Sequence, residues 1–225
     1  MDFSRHITNT IEWFYFEDVT SGRERDASVL VLGDKETTAP FVTLLEPRVH
    51  QVSRRLDDSI YDYVVIPVLT KKILRLFQGD VHTMLHALTE TWLKKGGRIL
   101  MGIENALDID RMASGDRKED VLYLRWTELT SLRASLREEQ PGARETLYYL
   151  MPELSVPLHF YSDARMPDVS EEDEKTALLI RENRFREFAP AYFYIYQPDG
   201  SVRPKARDYR RFLPDYIKYN STRKP

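Results

Sequence analysis

Short runs of apolar residues recur along the chain and predict the strands of its core. Four of them lie in the first half: Ser28–Leu32, Val49–Val52, Tyr61–Ile66 and Arg98–Ile103. These runs are apolar at successive positions, which is typical of parallel strands covered on both faces. Two aromatic-rich runs, Thr146–Met151 and Tyr192–Gln197, predict later strands.

Segments with helical spacing of apolar residues separate the predicted strands. Helices are predicted over Val81–Leu93, Thr127–Glu139 and Glu171–Phe188. Gly96-Gly97 is predicted to end the first of them, because glycine stops helices well. Ser170 and the acidic run 168–174 are predicted to begin the third, since a serine cap and carboxylates suit a first turn.

The order of these elements predicts an α/β fold, a doubly wound, mostly parallel sheet closed by a C-terminal antiparallel strand pair. We expect Ser28–Leu32, Tyr61–Ile66 and Arg98–Ile103 to be neighbours in the parallel core, with Tyr192–Gln197 antiparallel to it. Only about eight residues, 53–60, join the second strand to the next, whereas a parallel crossover ordinarily needs a dozen or more. The sheet is therefore expected to be abridged, without the usual third strand and its flanking helices.

Charge is unevenly distributed along the 225 residues. The net charge is −3, yet residues 201–225 contain eight Lys and Arg against two Asp. We expect a domain over 1–200 and a basic arm or linker over 201–225 that docks on a protein partner or leads into a further domain. The acidic body argues against nucleic acid as a partner.

Composition excludes several kinds of site and location. The chain has no cysteine, which excludes disulfides, thiolate metal ligands and cysteine nucleophiles. It has no apolar stretch of the roughly 18 residues that a membrane span needs, and its N-terminal residues lack a signal-peptide core. A cytoplasmic location is the expectation.

Four segments resemble a bacterial class I methyltransferase-like family that is often found with cell-surface polysaccharide enzymes. They are LKKGGRILMGIENALDIDRMASGD (93–116), LRWTEL (124–129), LYYLMPELSVPLHFYSDARMP (147–167) and ENRFREFAPAYFYIY (182–196). The resemblance implies a Rossmann-like class I methyltransferase fold. It also implies S-adenosylmethionine as cofactor and a small molecule or glycan intermediate as methyl acceptor.

The cofactor end departs from the pattern that this resemblance implies. The first strand of such a methyltransferase is followed by a loop with several glycines, but here Gly33-Asp34 follows with a single glycine. The acid that ordinarily binds the ribose at the end of the second strand is missing, and Asp57 and Asp58 come several residues later. Gly33, Asp34, Asp57 and Asp58 are the candidate cofactor contacts. The segment that usually supplies an adenine contact falls in the abridged part of the sheet. Three contacts are therefore weakened, and we expect S-adenosylmethionine to bind weakly or not at all.

Glu104 and Asn105 end the Arg98–Ile103 strand and are the candidate catalytic residues. At the carboxyl edge of the sheet, Glu104 is a candidate general base and Asn105 a candidate orienting amide. The alternative for Asn105 is that its amide holds its own loop in place. Two functions therefore stay open: methyl transfer, or a catalytically inactive methyltransferase-fold module that scaffolds or regulates a partner.

The spacing of His82, His86 and Glu90 places them along one helical stripe, which raises the question of a metal site. Thr83 stands where the zinc-protease motif has its glutamate. The stripe also borders the apolar face of the predicted helix. Histidines at the edge of a helix explain it better, and no metal site is predicted.

Overall fold

The structure is a computed structural model that describes residues 26–46, 49–151, 154, 159–164, 166–167, 169 and 174–200. The basic arm 201–225 and the predicted helix cap Ser170 lie outside the described residues. Within that part of the chain, no helix is both long and apolar enough to cross a membrane.

In the described part of the chain, eight strands form a single sheet. They are β1 (Ser28–Val31), β2 (Gln51–Ser53), β3 (Tyr61–Ile66), β4 (Leu93–Asn105), β5 (Tyr123–Leu124), β6 (Arg144–Met151), β7 (His159–Tyr161) and β8 (Ala191–Gln197). Their order is β2-β1-β3-β4-β8-β6-β7, and β5 pairs with the end of β4. The pairs up to β4, and β4 with β5, are parallel, whereas β8, β6 and β7 pair antiparallel. This confirms the abridged, mostly parallel sheet with its antiparallel C-terminal part.

Helices cover both faces of this sheet. They are α1 (Lys35–Leu45), α2 (Lys71–Arg75), α3 (Val81–Ala87), α4 (Ile109–Ser114), α5 (Trp126–Glu139), α6 (Glu174–Arg181) and α7 (Phe185–Phe188), with one π-helical turn over Leu88–Trp92. In β3, Val64 and Ile66 belong to one buried cluster and Val65 to the other. The continuous apolar runs of the sequence thus reflect strands that are buried on both faces.

The helix that begins at Val81 ends earlier than predicted. The α-helix ends at Ala87, and the π-helical turn continues it to Trp92. Gly96-Gly97 lies inside β4 instead of ending the helix. The indole of Trp92 donates a hydrogen bond to the carbonyl of Asp57 at 2.7 Å, and Leu93 already pairs with Tyr61. Gly97 is needed for close packing, since a Cβ there would lie 2.9 Å from the carbonyl oxygen of Asp62.

The predicted helix around Glu171–Phe188 is also divided. The described part forms α6 and α7, separated by residues 182–184. Asn183 has a φ of 57°, a left-handed conformation that breaks a helix. The prediction was right about helical content and wrong about continuity.

The edge of the sheet at β2 confirms that the fold is abridged. Among the described strands, none pairs on the outer side of β2. The chain returns from β2 to β3 through residues 54–60 without a helix. Residues 54–56 therefore lie beside the carboxyl end of β1, and residues 57–60 carry the chain back to the amino end of β3.

Gly102 provides a test of the packing at the centre of the sheet. A methyl group at this position would overlap the backbone carbonyl of Pro67, and it would lie 3.1 Å from a methyl carbon of Leu154. Because a backbone atom cannot swing aside, we expect Gly102→Ala to lower the free energy of unfolding by about 3 kcal/mol, as severe overpacking does. Urea unfolding measures the change.

Gly142→Ala is the matched control. Nothing lies within 4 Å of a Cβ at Gly142, so we expect a change below about 0.5 kcal/mol. Equal effects of the two substitutions would contradict the packing of β4 described above.

Candidate functional site

A cavity of about 280 Å³ opens at the carboxyl ends of β1 and β2. Its apolar floor consists of Leu32, Leu56, Ile73 and Leu76. Gly33 also lines it, directly after β1. Open α/β sheets bind ligands at this edge, which makes this cavity the candidate ligand site.

Three cationic side chains line the same cavity and are called the basic rim here: Arg54, Arg55 and Lys72. Arg54 and Arg55 directly follow β2, and Lys72 lies on α2. All three are exposed, and none forms an ion pair with a residue that the structure describes. At the end of the second strand, the cavity therefore has cations where the family resemblance implies a ribose-binding acid.

Gly33 and Asp34 are placed differently with respect to this cavity. Asp34 caps α1, its Oδ1 accepting a hydrogen bond from the backbone N–H of Thr37 at 2.8 Å. A Cβ on Gly33 would lie 2.8 Å from the Thr37 hydroxyl and 2.9 Å from a methyl carbon of Thr38. The glycine thus allows β1 to turn closely into α1, a structural reason for its presence that needs no ligand.

Asp57 and Asp58 lie on the loop beyond the basic rim. Neither is among the residues that line the cavity. The carboxylate of Asp57 accepts hydrogen bonds from the Tyr61 hydroxyl at 2.7 Å and from the backbone N–H of Ser59 at 2.9 Å. The hydrogen bond from Tyr61 lowers the pKa of Asp57. Asp57 holds its own loop together, and its role as a cofactor contact stays a prediction, as does that of Asp58.

Glu104 is a buried carboxylate with a cationic partner. Only 4% of the residue is exposed, and its Oε2 lies 2.8 Å from Nη2 of Arg111 on α4. Arg111 also lies 3.6 Å from a carboxylate oxygen of Asp108. Burial raises the pKa of Glu104, and the charge of Arg111 opposes that rise. A raised pKa suits a general base, but Glu104 is closed off from solvent and neutralised by Arg111.

Asn105 uses its whole side chain within the protein. It is completely buried, and its Nδ2 donates to the carbonyls of Glu187 at 2.8 Å and Ala189 at 2.7 Å. Its Oδ1 accepts a hydrogen bond from the backbone N–H of Leu107 at 3.0 Å. This geometry supports the alternative in which the amide holds its loop. The structure brings Glu104 and Asn105 together at the strand end, but neither lines the cavity.

The histidine stripe does not converge on a metal. His82 Nε2 lies 2.9 Å from a carboxylate oxygen of Glu139, and His86 Nδ1 lies 3.4 Å from one of Glu90. Among the described residues, no group of three or more His, Asp or Glu side chains could hold a metal ion. The two histidines have separate acidic neighbours, Glu139 on α5 and Glu90 on the π-helical turn.

The sequence did not reveal Arg111, Arg54, Arg55 or Lys72 as site residues. Arg111 meets Glu104 because α4 folds back on the end of β4, and no spacing rule encodes that contact. The adjacent pair Arg54-Arg55 was visible as two letters after the second strand. Its significance depends on Lys72, which only the tertiary structure brings to the same cavity.

Comparison with known proteins identifies the architecture. No family model and no curated protein matches the chain. Its structure is similar to that of the plantazolicin methyltransferase BpumL, solved with a monoazolic desmethylPZN analog and SAH, with a TM-score of 0.51 and 13% identity over 88% of this chain and 85% of that one. The fold is that of a class I methyltransferase.

Two further solved structures are similar at lower scores. A SAM-dependent methyltransferase from Archaeoglobus fulgidus has a TM-score of 0.45 and 13% identity over 84% of this chain and 94% of that one. The plantazolicin methyltransferase BamL has a TM-score of 0.47 and 10% identity over 87% and 85% of the two chains. At these identities, likeness to BpumL establishes the fold alone.

Asn105 offers a test of its structural role. In Asn105→Asp the new carboxylate cannot donate to the carbonyls of Glu187 and Ala189, which lose their partner while staying buried. We expect the free energy of unfolding at neutral pH to fall by about 3 kcal/mol, since each buried unsatisfied group costs about 1–3 kcal/mol. Asn183→Asp is the control, because Asn183 is exposed and its oxygen accepts from Arg186 in either form. A neutral Asn105→Asp would contradict the hydrogen bonds described.

The pair formed by Glu104 and Arg111 gives a test with a pH dependence. Arg111→Met leaves a buried carboxylate unpaired, and we expect a loss of about 3–5 kcal/mol in unfolding free energy at pH 7. The pKa of Glu104, already raised by burial, rises further without Arg111. The protonated form of Glu104 therefore contributes fully to the free energy of unfolding below the ordinary glutamate pKa of about 4.3. This contribution is lost as the pH rises through the pKa of Glu104 in the folded state.

A double-variant cycle checks the cause of that loss. Adding Glu104→Gln to Arg111→Met removes the charge, so most of the lost stability and the pH dependence should disappear. Arg75→Met is the control for a general effect of removing a guanidinium, because Arg75 is exposed on α2. No rescue by Glu104→Gln would show that Arg111 acts by packing alone.

Proposed function

We propose that this chain is a catalytically inactive methyltransferase-fold module, which binds S-adenosylmethionine weakly or not at all and scaffolds or regulates a partner protein. The observation that carries the proposal is the charge of the cavity. The ligand site of the fold has Arg54 and Arg55 at the end of β2, in place of an acceptor for ribose hydroxyls.

S-adenosylmethionine fits poorly with these residues. The cofactor carries a positive sulfonium, a positive amino group and one carboxylate, so its net charge is positive, and no acidic side chain lines the cavity among the residues described. Two cations at the ribose position also offer donors where the hydroxyls need acceptors. The single loop glycine, the missing ribose acid and the missing third strand act in the same direction.

The candidate catalytic pair adds support for an inactive module. Asn105 has its amide oxygen and both amide hydrogens engaged by backbone groups. Glu104 is buried against Arg111 and does not line the cavity. Both residues therefore have structural reasons to be present that require no reaction.

Methyl transfer from S-adenosylmethionine to a small molecule or a glycan intermediate is the second candidate function. The fold shared with BpumL and the cavity beside Gly33 favour it. In that case the association with polysaccharide enzymes, which the family resemblance implies, favours a glycan intermediate as the methyl acceptor. Glu104 and Asn105 are then the residues to examine as base and orienting group.

The partner contact is assigned to the basic arm. Residues 201–225 carry eight cationic side chains, while residues 1–200 are net acidic. A basic segment of this kind attracts an acidic surface on the body of the protein or on a partner. The proposed location of the module is the cytoplasm.

Titration calorimetry of the full chain with S-adenosylmethionine and S-adenosylhomocysteine separates the two candidate functions. We expect no binding at micromolar concentrations of either compound, because three contacts are lost and each 1.4 kcal/mol is worth a factor of about ten. Gly33→Val and Gly142→Ala are the paired variants. Micromolar affinity that disappears in Gly33→Val and persists in Gly142→Ala would restore the methyltransferase.

A further inference from the structure

The cavity beside β1 combines two surfaces of different chemistry. Its floor is apolar, with Leu32 and Ile73 buried beneath it and Leu76 64% exposed at its side. Its basic rim supplies Arg54, Arg55 and Lys72 from two separate elements. A ligand that satisfies both surfaces needs an apolar body and a negative group.

The basic rim favours a phosphate as that negative group. An arginine side chain presents donors in a rigid fork that matches phosphate oxygens, and lysine adds a compact positive charge. The carboxylate of Asp57, two residues after Arg55, already accepts hydrogen bonds from Tyr61 and Ser59. Three cations without an ion-pair partner among the described residues suit a dianion better than a single carboxylate.

The position of the two arginines has a precedent in related folds. In dinucleotide-binding sheets, an acid near the end of the second strand binds an unmodified ribose, whereas an arginine there accommodates a phosphorylated one. Arg54 and Arg55 follow β2 at the same place in this sheet. Arginines in place of an acid at this position thus disfavour S-adenosylmethionine and favour a phosphate.

The size of the cavity limits the ligand. Its volume of about 280 Å³ lies just below the range of about 300–1,000 Å³ that is typical of small-molecule pockets. That space suits a ligand the size of one nucleotide better than a dinucleotide. The exposed side of Leu76 provides apolar area that a base or similar ring would cover.

We propose that this cavity binds a small organic phosphate of the nucleoside monophosphate kind, with its phosphate on the basic rim and its apolar body on the floor. The inference rests on the proposed function, since it assigns to the same cavity a ligand other than S-adenosylmethionine.

The test is titration calorimetry of the full chain with AMP, adenosine and inorganic phosphate at one ionic strength. We expect AMP to bind at least tenfold more tightly than adenosine, which lacks the phosphate, and than inorganic phosphate, which lacks the apolar body. Arg54→Ala combined with Arg55→Ala should weaken AMP binding tenfold or more, since two charge-assisted hydrogen-bonding groups are removed.

Arg75→Ala is the matched control, because Arg75 lies on α2 with Lys72 but does not line the cavity. Its AMP affinity should stay within about twofold of that of the unchanged protein, because salt screens the long-range attraction between Arg75 and the phosphate. Lys72→Ala is the second test variant and should also weaken AMP binding. Thermal unfolding of each variant checks that its fold is retained.

Four results would overturn the inference: no AMP binding, equal affinity for AMP and adenosine, equal affinity for AMP and inorganic phosphate, or equal losses in the rim variants and Arg75→Ala. These results differ from a failure of the proposed function. The proposed function fails if the separate titration shows micromolar binding of S-adenosylmethionine. If only AMP fails to bind, the proposal of an inactive module stands and the proposal of a phosphate ligand falls.

Discussion

The buried amide of Asn105 joins the two halves of the sheet. It stands at the end of β4, the strand that is parallel to β3 on one side and antiparallel to β8 on the other. Its hydrogen bonds reach the carbonyls of Glu187 and Ala189, which lie just before β8 begins. These bonds hold residues 187–189 and the start of β8 against the end of β4, and they engage both amide hydrogens and the amide oxygen of Asn105.

Two carboxylates, one buried and one partly buried, also bind partners within the protein. Glu104 binds Arg111 and holds α4 against the end of β4. In the antiparallel part, the carboxylate of Glu145 accepts hydrogen bonds from Nε and Nη2 of Arg133 at 3.0 and 2.8 Å and from the hydroxyl of Tyr194 at 2.9 Å. These pairs join α4 and α5 to the strands on which they pack. Among the described residues, these carboxylates are occupied, while the cations of the cavity are not.

The sequence predicted the sheet better than the site, and the reasons differ. Apolar runs such as Tyr61–Ile66 are local signals, and this strand has the predicted bounds. Gly96-Gly97 misled the prediction of the helix end, because a glycine pair that stops a helix also permits the close approach of strands. Glu104 and Asn105 were found at the right strand end, but their partners come from distant segments that no local pattern indicates.

The loop that follows β2 bears on both the open edge of the sheet and the positive charge at the cavity. Without a third strand, β2 becomes the edge of the described sheet, and its three residues keep that edge short. The loop that would lead outward turns back to β3 and places Arg54 and Arg55 over the carboxyl end of β1. Arginine suits this place, because its long stem covers apolar floor while its charged end stays in water. The loop that closes the abridged edge thus also places cations at the mouth of the cavity.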